Sequence, residues 1–558
     1  MSFPKFAGVF LVFTSATKFW NMRYLYAAIV LFVAAHTHAQ TPFNDRDSLN
    51  VNNLNVRMMV HGDMWFDPAT YQAHCKFPAN DQRSLHIASA LWMSAVDPSG
   101  NLHISSQTYR QVGSDYWPGP LDGSGGLDYA TSAKWAKLWK VTRDEIAYHK
   151  DNATRTISST PTSILSWPGK GNSYATGKGG APLTVDREMA PFVDLDGDGM
   201  YEPLNGEYPD FRGDAALWWV FSDNGPTHTE TNGVPLQVEV HAMAYAYKRS
   251  TPIDNVVYYD YTIENRSSVD YSQFRMAVWD DVDLGWYLDD YICFDSARRM
   301  GIVYNATNDD GASAGHPAGS YGINPPASGI TLIRVPGDAG ATFIPMGSFT
   351  NYNNDPSPQG NPVLPVEYDN YMRGRMRSGA HFQENGVDVD YVYTGVPSVA
   401  GDSSECEKVN IPGDRRVVMT TRSFSLPVGQ KERLVYALVA SAAAGGCPSV
   451  NLSGLNTIAD TAWSVYYNPP PELGVNDRMA GSGAISVYPN PAHDVLDIDG
   501  ARQGATITVT NLLGATVASA VYSGVGTFKV YLKELPVGLY VVRYADAAGT
   551  VANTIMKR

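Results

Sequence analysis

Cysteine is scarce in this chain. Four residues in 558, Cys75, Cys293, Cys406 and Cys447, are too few for a disulfide-built scaffold, and none has the spacing of a metal-binding pair. Three pairings of four are open, and Cys406 with Cys447 is the first expectation because both lie near the end of the main body. Positive charge is also thin: 41 Lys and Arg stand against 56 Asp and Glu, for a net charge of −15. A surface with that balance repels phosphate backbones, so no nucleic-acid partner is expected, while divalent cations are favoured company. The text also lacks a Gly-x-Ser-x-Gly elbow, a His-Glu-x-x-His pair and a Gly-rich phosphate loop with Lys, which removes the nucleophile, zinc-protease and nucleotide readings that those patterns carry. Helical periodicity is rare. After residue 35 no apolar run approaches the roughly 20 residues of a spanning helix, so the mature chain is expected to have no transmembrane span.

What is abundant is the material of strands and turns. Apolar residues make up 44%, and 50 Gly, 35 Pro and 33 Tyr predict many turns between aromatic-rich strands. The fold class expected is all-β: a mainly antiparallel β-sandwich body with few short helices, plus a small Ig-like β-sandwich at the carboxy end. At the amino end, Met22-Arg23 gives a short basic start, Tyr24 to Ala35 an apolar run, and Thr37-His38-Ala39 small residues for cleavage. This predicts a signal peptide over 1–39, with the true start at Met22 and the mature chain beginning at Gln40. Lys18, Asn21 and Arg23 break the apolar text, which argues against an anchor. Loss of 1–39 moves the net charge to about −18.

Along the body, 40–185 is expected as an amino-terminal β-rich region, 186–215 as a cation-loop segment and 216–467 as the sandwich. Ser132 is expected to cap a short helix through Lys140 with Trp135, Leu138 and Trp139 on one face. Leu236–Tyr247 and Asn255–Glu264 alternate as strands, and Asn265-Arg266-Ser267-Ser268 reads as the turn into Phe274–Trp279. Arg415–Thr421 and Glu432–Ala440 read as a further strand pair, and Thr457–Tyr467 as a closing helix. Residues 468–484, with Pro469-Pro470-Pro471 and a Gly-Ser-Gly, are a linker by composition.

From Ile485 onward the strands are short and alternating. Tyr488-Pro489-Asn490-Pro491, Asn511-Leu512-Leu513-Gly514, Leu535-Pro536-Val537-Gly538-Leu539-Tyr540 and the terminal Lys557-Arg558 occur in that order. On these motifs, 485–558 resembles the type A sorting domain of type IX secretion substrates. The resemblance implies the type IX machinery as a partner, passage through the periplasm, and a secreted or outer-surface destination. The body is also similar to large uncharacterised secreted proteins that carry this tail, on Gln107-Thr108-Tyr109-Arg110, Ala130–Trp135, Leu217–Phe221 and His241–Tyr245. That likeness implies no particular chemistry.

The sharpest constellation in the body is Asp194-Leu195-Asp196-Gly197-Asp198-Gly199-Met200-Tyr201-Glu202. Carboxylates at alternate positions followed by Gly let a loop wrap oxygens around a hard cation, so calcium is expected on Asp194, Asp196, Asp198, the carbonyl of Met200, and Glu202. The twelfth position is Asn205, with Glu207 two further on, a departure from an EF-hand. A second acidic group, Asp280, Asp281, Asp283, Asp289 and Asp290, interleaves with Trp279, Leu284, Trp286 and Tyr287 and is a candidate for another cation or for a sugar edge with stacking aromatics. No catalytic residue is singled out. His228, Glu230, Glu239 and His241 form the one His/Glu grouping, expected to be a hydrogen-bonded surface. The expected function is an exported, calcium-stabilised binding or structural module, with glycans or surface components as partners; the alternative is an extracellular hydrolase bearing the same tail.

Overall fold

A computed structural model describes residues 43–111, 113–338, 343–469 and, in the tail, 486–488, 492–499, 504–511, 516–522, 528–546 and 549–557. The signal segment 1–39 and most of the expected linker therefore lie outside the described residues. The body is all-β, as its composition predicts. A 10-stranded sheet runs Arg46–Leu49, Asn55–Met59, Asp63–Met64, Ala88–Val96, Tyr271–Val282, Arg415–Thr420, Ser348–Tyr352, with three short strands beside this path. A 9-stranded sheet runs Trp139–Thr142, Ala215–Ser222, Val238–Ala246, Val256–Asn265, Lys431–Ser441, Ala327–Arg334, Met300–Asn305, Asp290–Asp295, with one short strand beside it.

The sheets face each other. Trp65 Nε1 donates to Tyr259 Oη at 2.9 Å, the hydroxyls of Tyr261 and Tyr436 both meet Met64 Sδ at 3.4 Å, and Phe294 stacks on Phe349 at 4.9 Å. Each outer face is covered as well. On the second sheet, Trp218, Tyr245 and Tyr258 pack against Trp139, Trp167 and the helix Ser453–Tyr467, where Tyr258 Oη donates to the carbonyl of Ala462 at 2.8 Å. On the first, the helix Pro365–Met372 lays Tyr368 on Trp92 and Tyr371 on Tyr352, and Ser94 Oγ donates to Asp369 at 2.7 Å. Burial on both faces explains why Val238–Ala246 reads as amphipathic yet is almost wholly buried: Tyr245 and Met243 have a second core to enter.

Several local expectations are corrected. The helix near Ser132 is Tyr129–Trp135, capped by Asp128, whose carboxylate accepts from Thr131 N at 2.6 Å, and Trp139 opens a strand instead of continuing it. Pairing with Trp218 outcompetes a marginal helical turn. A helix absent from the expectations, Arg143–Asp151, begins on a reciprocal cap in which Thr142 Oγ1 accepts from Glu145 N and Glu145 Oε2 accepts from Thr142 N. Arg415–Thr420 and Lys431–Ser441 are not partners: they belong to opposite sheets. Asn265–Ser268 likewise carries the chain from the second sheet to the first, with Asn265 Nδ2 donating to the carbonyls of Val269 and Leu426. Cys406 and Cys447 form a disulfide, as expected, while Cys75 and Cys293 are buried thiols.

In the tail, a three-stranded sheet (Ser486–Tyr488, Val495–Asp499, Phe528–Tyr531) and a four-stranded one (Thr516–Val521, Thr506–Asn511, Gly538–Asp546, Gly549–Lys557) are all antiparallel. Leu496, Ile498, Ile507, Val509, Val530, Tyr540, Val542, Tyr544 and Ile555 form their shared core.

Candidate functional site

The 194–202 loop turns on its two glycines. Gly197 and Gly199 take φ values of +80° and +76°, which a side chain would resist, and both turn their N–H groups onto Asp194: Gly197 N to Oδ1 at 2.7 Å and Gly199 N to Oδ2 at 2.8 Å. Those two donors hold the Asp194 carboxyl below its ordinary range. Asp196 accepts from Asp198 N, and Asp198 from Met200 N. One oxygen from each of Asp194, Asp196 and Asp198 lies within 4.8 Å of the others, on an exposed surface. Tyr201 roots the loop, its ring in the core and its hydroxyl donating to the Ile164 carbonyl at 2.9 Å.

Glu202 lies outside that group and turns to Asn205, whose Nδ2 donates to it at 2.6 Å, while the Met200 side chain covers Gly171. Glu207, which spacing alone leaves without a role, is buried and straddles the base of the loop, accepting from Leu195 N at 2.9 Å and Glu202 N at 2.8 Å. Burial, reinforced by Asp194 and Asp196, pushes its carboxyl up against those two hydrogen bonds.

The second acidic group is buried rather than displayed. Asp280 accepts from His86 Nδ1 at 2.9 Å, and His86 Nε2 reaches Ser328 Oγ at 2.8 Å in the opposite sheet. Asp281 takes the Tyr109 hydroxyl and Arg416 Nη2 on Oδ2. Asp283 lies beside it, and Asp414, remote in sequence, closes the set: one oxygen each from Asp281, Asp283 and Asp414 falls within 4.8 Å of the others. Burial first, then the crowding of like charges, pushes Asp281, Asp283 and Asp290 all upward. Asp289, desolvated and beside Asp310, is pushed up to about 6. Oδ1 of each of Asp280, Asp281, Asp283, Asp289 and Asp290 is buried without a hydrogen-bond partner.

The sugar-edge expectation fares differently. Trp279 is fully buried and donates from Nε1 to Tyr352 Oη, and Leu284 is also buried, which leaves Trp286 and Tyr287 as the aromatics near the surface. Glu239, His241 and Glu264 also come within 4.8 Å, but cations already fill that space. Arg187 grips Glu239 with both Nη atoms, at 2.8 and 2.6 Å, His241 Nε2 adds a contact at 2.7 Å, and Arg266 pairs with Glu264. His228 Nε2 is spent on the Asp223 carbonyl and Glu230 on Thr108.

The tail carries its motifs on an ordered sheet. Tyr540 is buried and donates to the Pro536 carbonyl at 2.8 Å, Gly538 and Leu539 open the strand that pairs with the final one, and Lys557 reaches Asp494. Tyr488 is half-exposed; Pro489, Asn490, Pro491, Gly514 and Arg558 lie outside the described residues. Residues 486–558 match the family described as the secretion system C-terminal sorting domain. The chain is a type IX secretion substrate with a type A tail. The sorting domain directs it to the type IX machinery and to the cell surface or beyond. Among the described residues no helix is long and apolar enough to cross a membrane.

The sorting domain covers only the last stretch of the chain, and other comparisons add no function. No curated protein matches. Among solved structures, a polysaccharide lyase aligns at 8% identity and TM-score 0.16, over 57% of this chain and 34% of its own. The chain thus spans about a third of that lyase. PorZ, an essential bacterial surface component of the type IX secretion system of Porphyromonas gingivalis, aligns at 9% identity and TM-score 0.12, over 92% of this chain and 75% of its own. Similarity at this level carries no argument about fold or activity.

Proposed function

We propose that the body is a calcium-stabilised binding or structural module, exported by a signal peptide over 1–39 and delivered outside by its sorting domain. The observation that carries the calcium part is the clustering of Asp194, Asp196 and Asp198 in a Gly-turned loop rooted by Tyr201 and Glu207. Three carboxylates at an exposed turn repel one another, and a cation offsets that repulsion. Calcium suits the all-oxygen set because it accepts six to eight ligands without ideal octahedral geometry. Surface glycans or other envelope components are the partners this reading favours, with Trp286 and Tyr287 as the aromatics available to them.

An extracellular hydrolase with the same tail is the second reading, favoured by the raised acid pair Asp281 and Asp283. Against it, Asp281 is 1% exposed and bound by Tyr109 and Arg416, so a substrate would meet a carboxylate already engaged. Calcium dependence of melting tests the preferred reading. With Kd of roughly 0.1 to 1 mM, as in extracellular modules, 10 mM calcium should add about 1.4 to 2.7 kcal/mol. Asp196→Ala with Asp198→Ala should remove the loop's share of that gain, and an unchanged calcium response in the double variant would defeat the assignment.

A further inference from the structure

We infer that Asp281, Asp283 and Asp414 hold a second calcium ion, which clamps the chain where it crosses from one sheet of the sandwich to the other. Asp281 is the penultimate residue of the Tyr271–Val282 strand of the first sheet, and Asp290 opens the Asp290–Asp295 strand of the second. Residues 283–289 are the crossing between them. Asp414 stands at the head of Arg415–Thr420, which pairs with Tyr271–Val282 through Asp281 opposite Arg416 and Val282 opposite Arg415. Gly413 N also donates to the Asp290 carbonyl at 3.2 Å. Two segments far apart in sequence, 281–283 and 414, therefore bring carboxylates to one point.

Two independent observations separate this point from an ordinary acidic surface. First, Asp281 is 1% exposed and Asp290 fully buried, yet Oδ1 of each, and Oδ1 of Asp283, has no hydrogen-bond partner. A buried carboxylate oxygen left without a donor is costly, and proteins arrange such oxygens around cations. Second, the charge does not balance within the protein. Arg416 is the guanidinium that reaches the group, touching Asp281 at 3.1 Å and Asp414 at 2.6 Å. With all three carboxylates ionised, one guanidinium leaves two negative charges for a divalent ion to offset. His86 is already committed to Asp280 and is not part of the set.

The chemistry of the donors selects the ion. All are carboxylate oxygens, with no imidazole or thiolate, so the site favours a hard cation over zinc or copper. Calcium takes six to eight oxygens in flexible geometry, whereas magnesium demands a near-ideal octahedron, so an irregular carboxylate set favours calcium. No residue is shared with the 194–202 loop, so the two sites stand or fall separately.

Isothermal titration of the full chain with calcium chloride tests this. The wild type should bind two ions. Asp196→Ala with Asp198→Ala should leave one, and adding Asp283→Asn to that variant should weaken the remaining event at least tenfold. Asp414→Asn, at a half-buried position outside the strands, should weaken it similarly and provides the second measurement if Asp283→Asn folds poorly. If the loop variant loses all binding, the clamp is overturned and the loop reading survives. If either Asn variant keeps its fold and its full calcium stoichiometry, the clamp is overturned regardless of the loop. If the loop variant binds as the wild type does and Asp283→Asn abolishes binding, the clamp stands and the loop reading fails.

Discussion

Replacing His86 with Ala should be among the most damaging single changes in the body, although His86 touches none of the six carboxylates assigned to calcium here. The imidazole lies between the sheets, with Nδ1 on Asp280 of the first and Nε2 on Ser328 of the second, and Ser328 Oγ in turn donates to the Val439 carbonyl at 2.9 Å. Asp280 Oδ1 already lacks a partner, so His86→Ala would strand both oxygens of a buried carboxylate. Breaking such a pair from one side costs about 3 to 5 kcal/mol. With an unfolding entropy of about 2.1 cal/mol/K per residue over roughly 425 body residues, the midpoint should fall by about 3 to 6 °C. Urea unfolding followed by tryptophan emission would read the free energy, helped by Trp65, whose ring centroid is 5.2 Å from that of His86. A double-mutant cycle with Asp280→Ala should return a coupling energy above about 1.5 kcal/mol, because removing the acid relieves the stranded charge. A loss below about 1 kcal/mol for His86→Ala, or costs that simply add, would refute the idea that this pair bridges the sheets energetically.

Deleting 485–558 should leave the protein in the periplasm, since a signal peptide alone reaches that compartment; fractionation that finds the truncated chain in the medium as usual would contradict the role of the tail. Acid should expose the grip on Glu239. Burial alone would raise this carboxyl, but the His241 hydrogen bond and Arg187 overcome it and hold it at about 2, below its ordinary 4.5. The resulting stability, on the order of 3 kcal/mol, is therefore present above about pH 4.5 and lost as pH falls towards 2. Glu239→Gln should lower stability at pH 7 and flatten that acid limb, and parallel losses in both proteins over the same window would count against the grip.

The long strands were legible because their period is two and their length leaves no helical alternative: Val238–Ala246, Val256–Asn265 and Lys431–Ser441 all stand close to where alternation puts them. Partnership was not legible. Proximity in sequence suggests hairpins at 265–268 and 426–429, but the chain changes sheets at both, because a sandwich is closed by strands that leave their neighbours. The Arg143–Asp151 helix carried a readable signal, Thr142 followed by Glu145, that strand-rich surroundings obscured. At the sites, alternate acids announce Asp194, Asp196 and Asp198 because their geometry is local. Asp414 had no such signal: it joins Asp281 only through the cross-strand register of Arg416. Glu207 was two residues from where a known loop would want it, and its buried position under the turn depends on packing that no spacing rule contains.

The pairing of Ala88–Val96 with Tyr271–Val282, and of that strand with Arg415–Thr420, has a consequence for how the body can be made or divided. In a chain delivered from its amino end, Ala88–Val96 pairs along one edge with the short strands Asp63–Met64 and Leu102–Ser105, but its long neighbour follows only roughly 175 residues later, and that neighbour's far edge waits for Arg415. Until then two long apolar edges stand open to any neighbouring chain. Fragments cut anywhere between these strands would inherit half a sheet, so the body should be expressed, shuffled or fused only as one piece, with a carrier that shelters the early strands while the late ones follow.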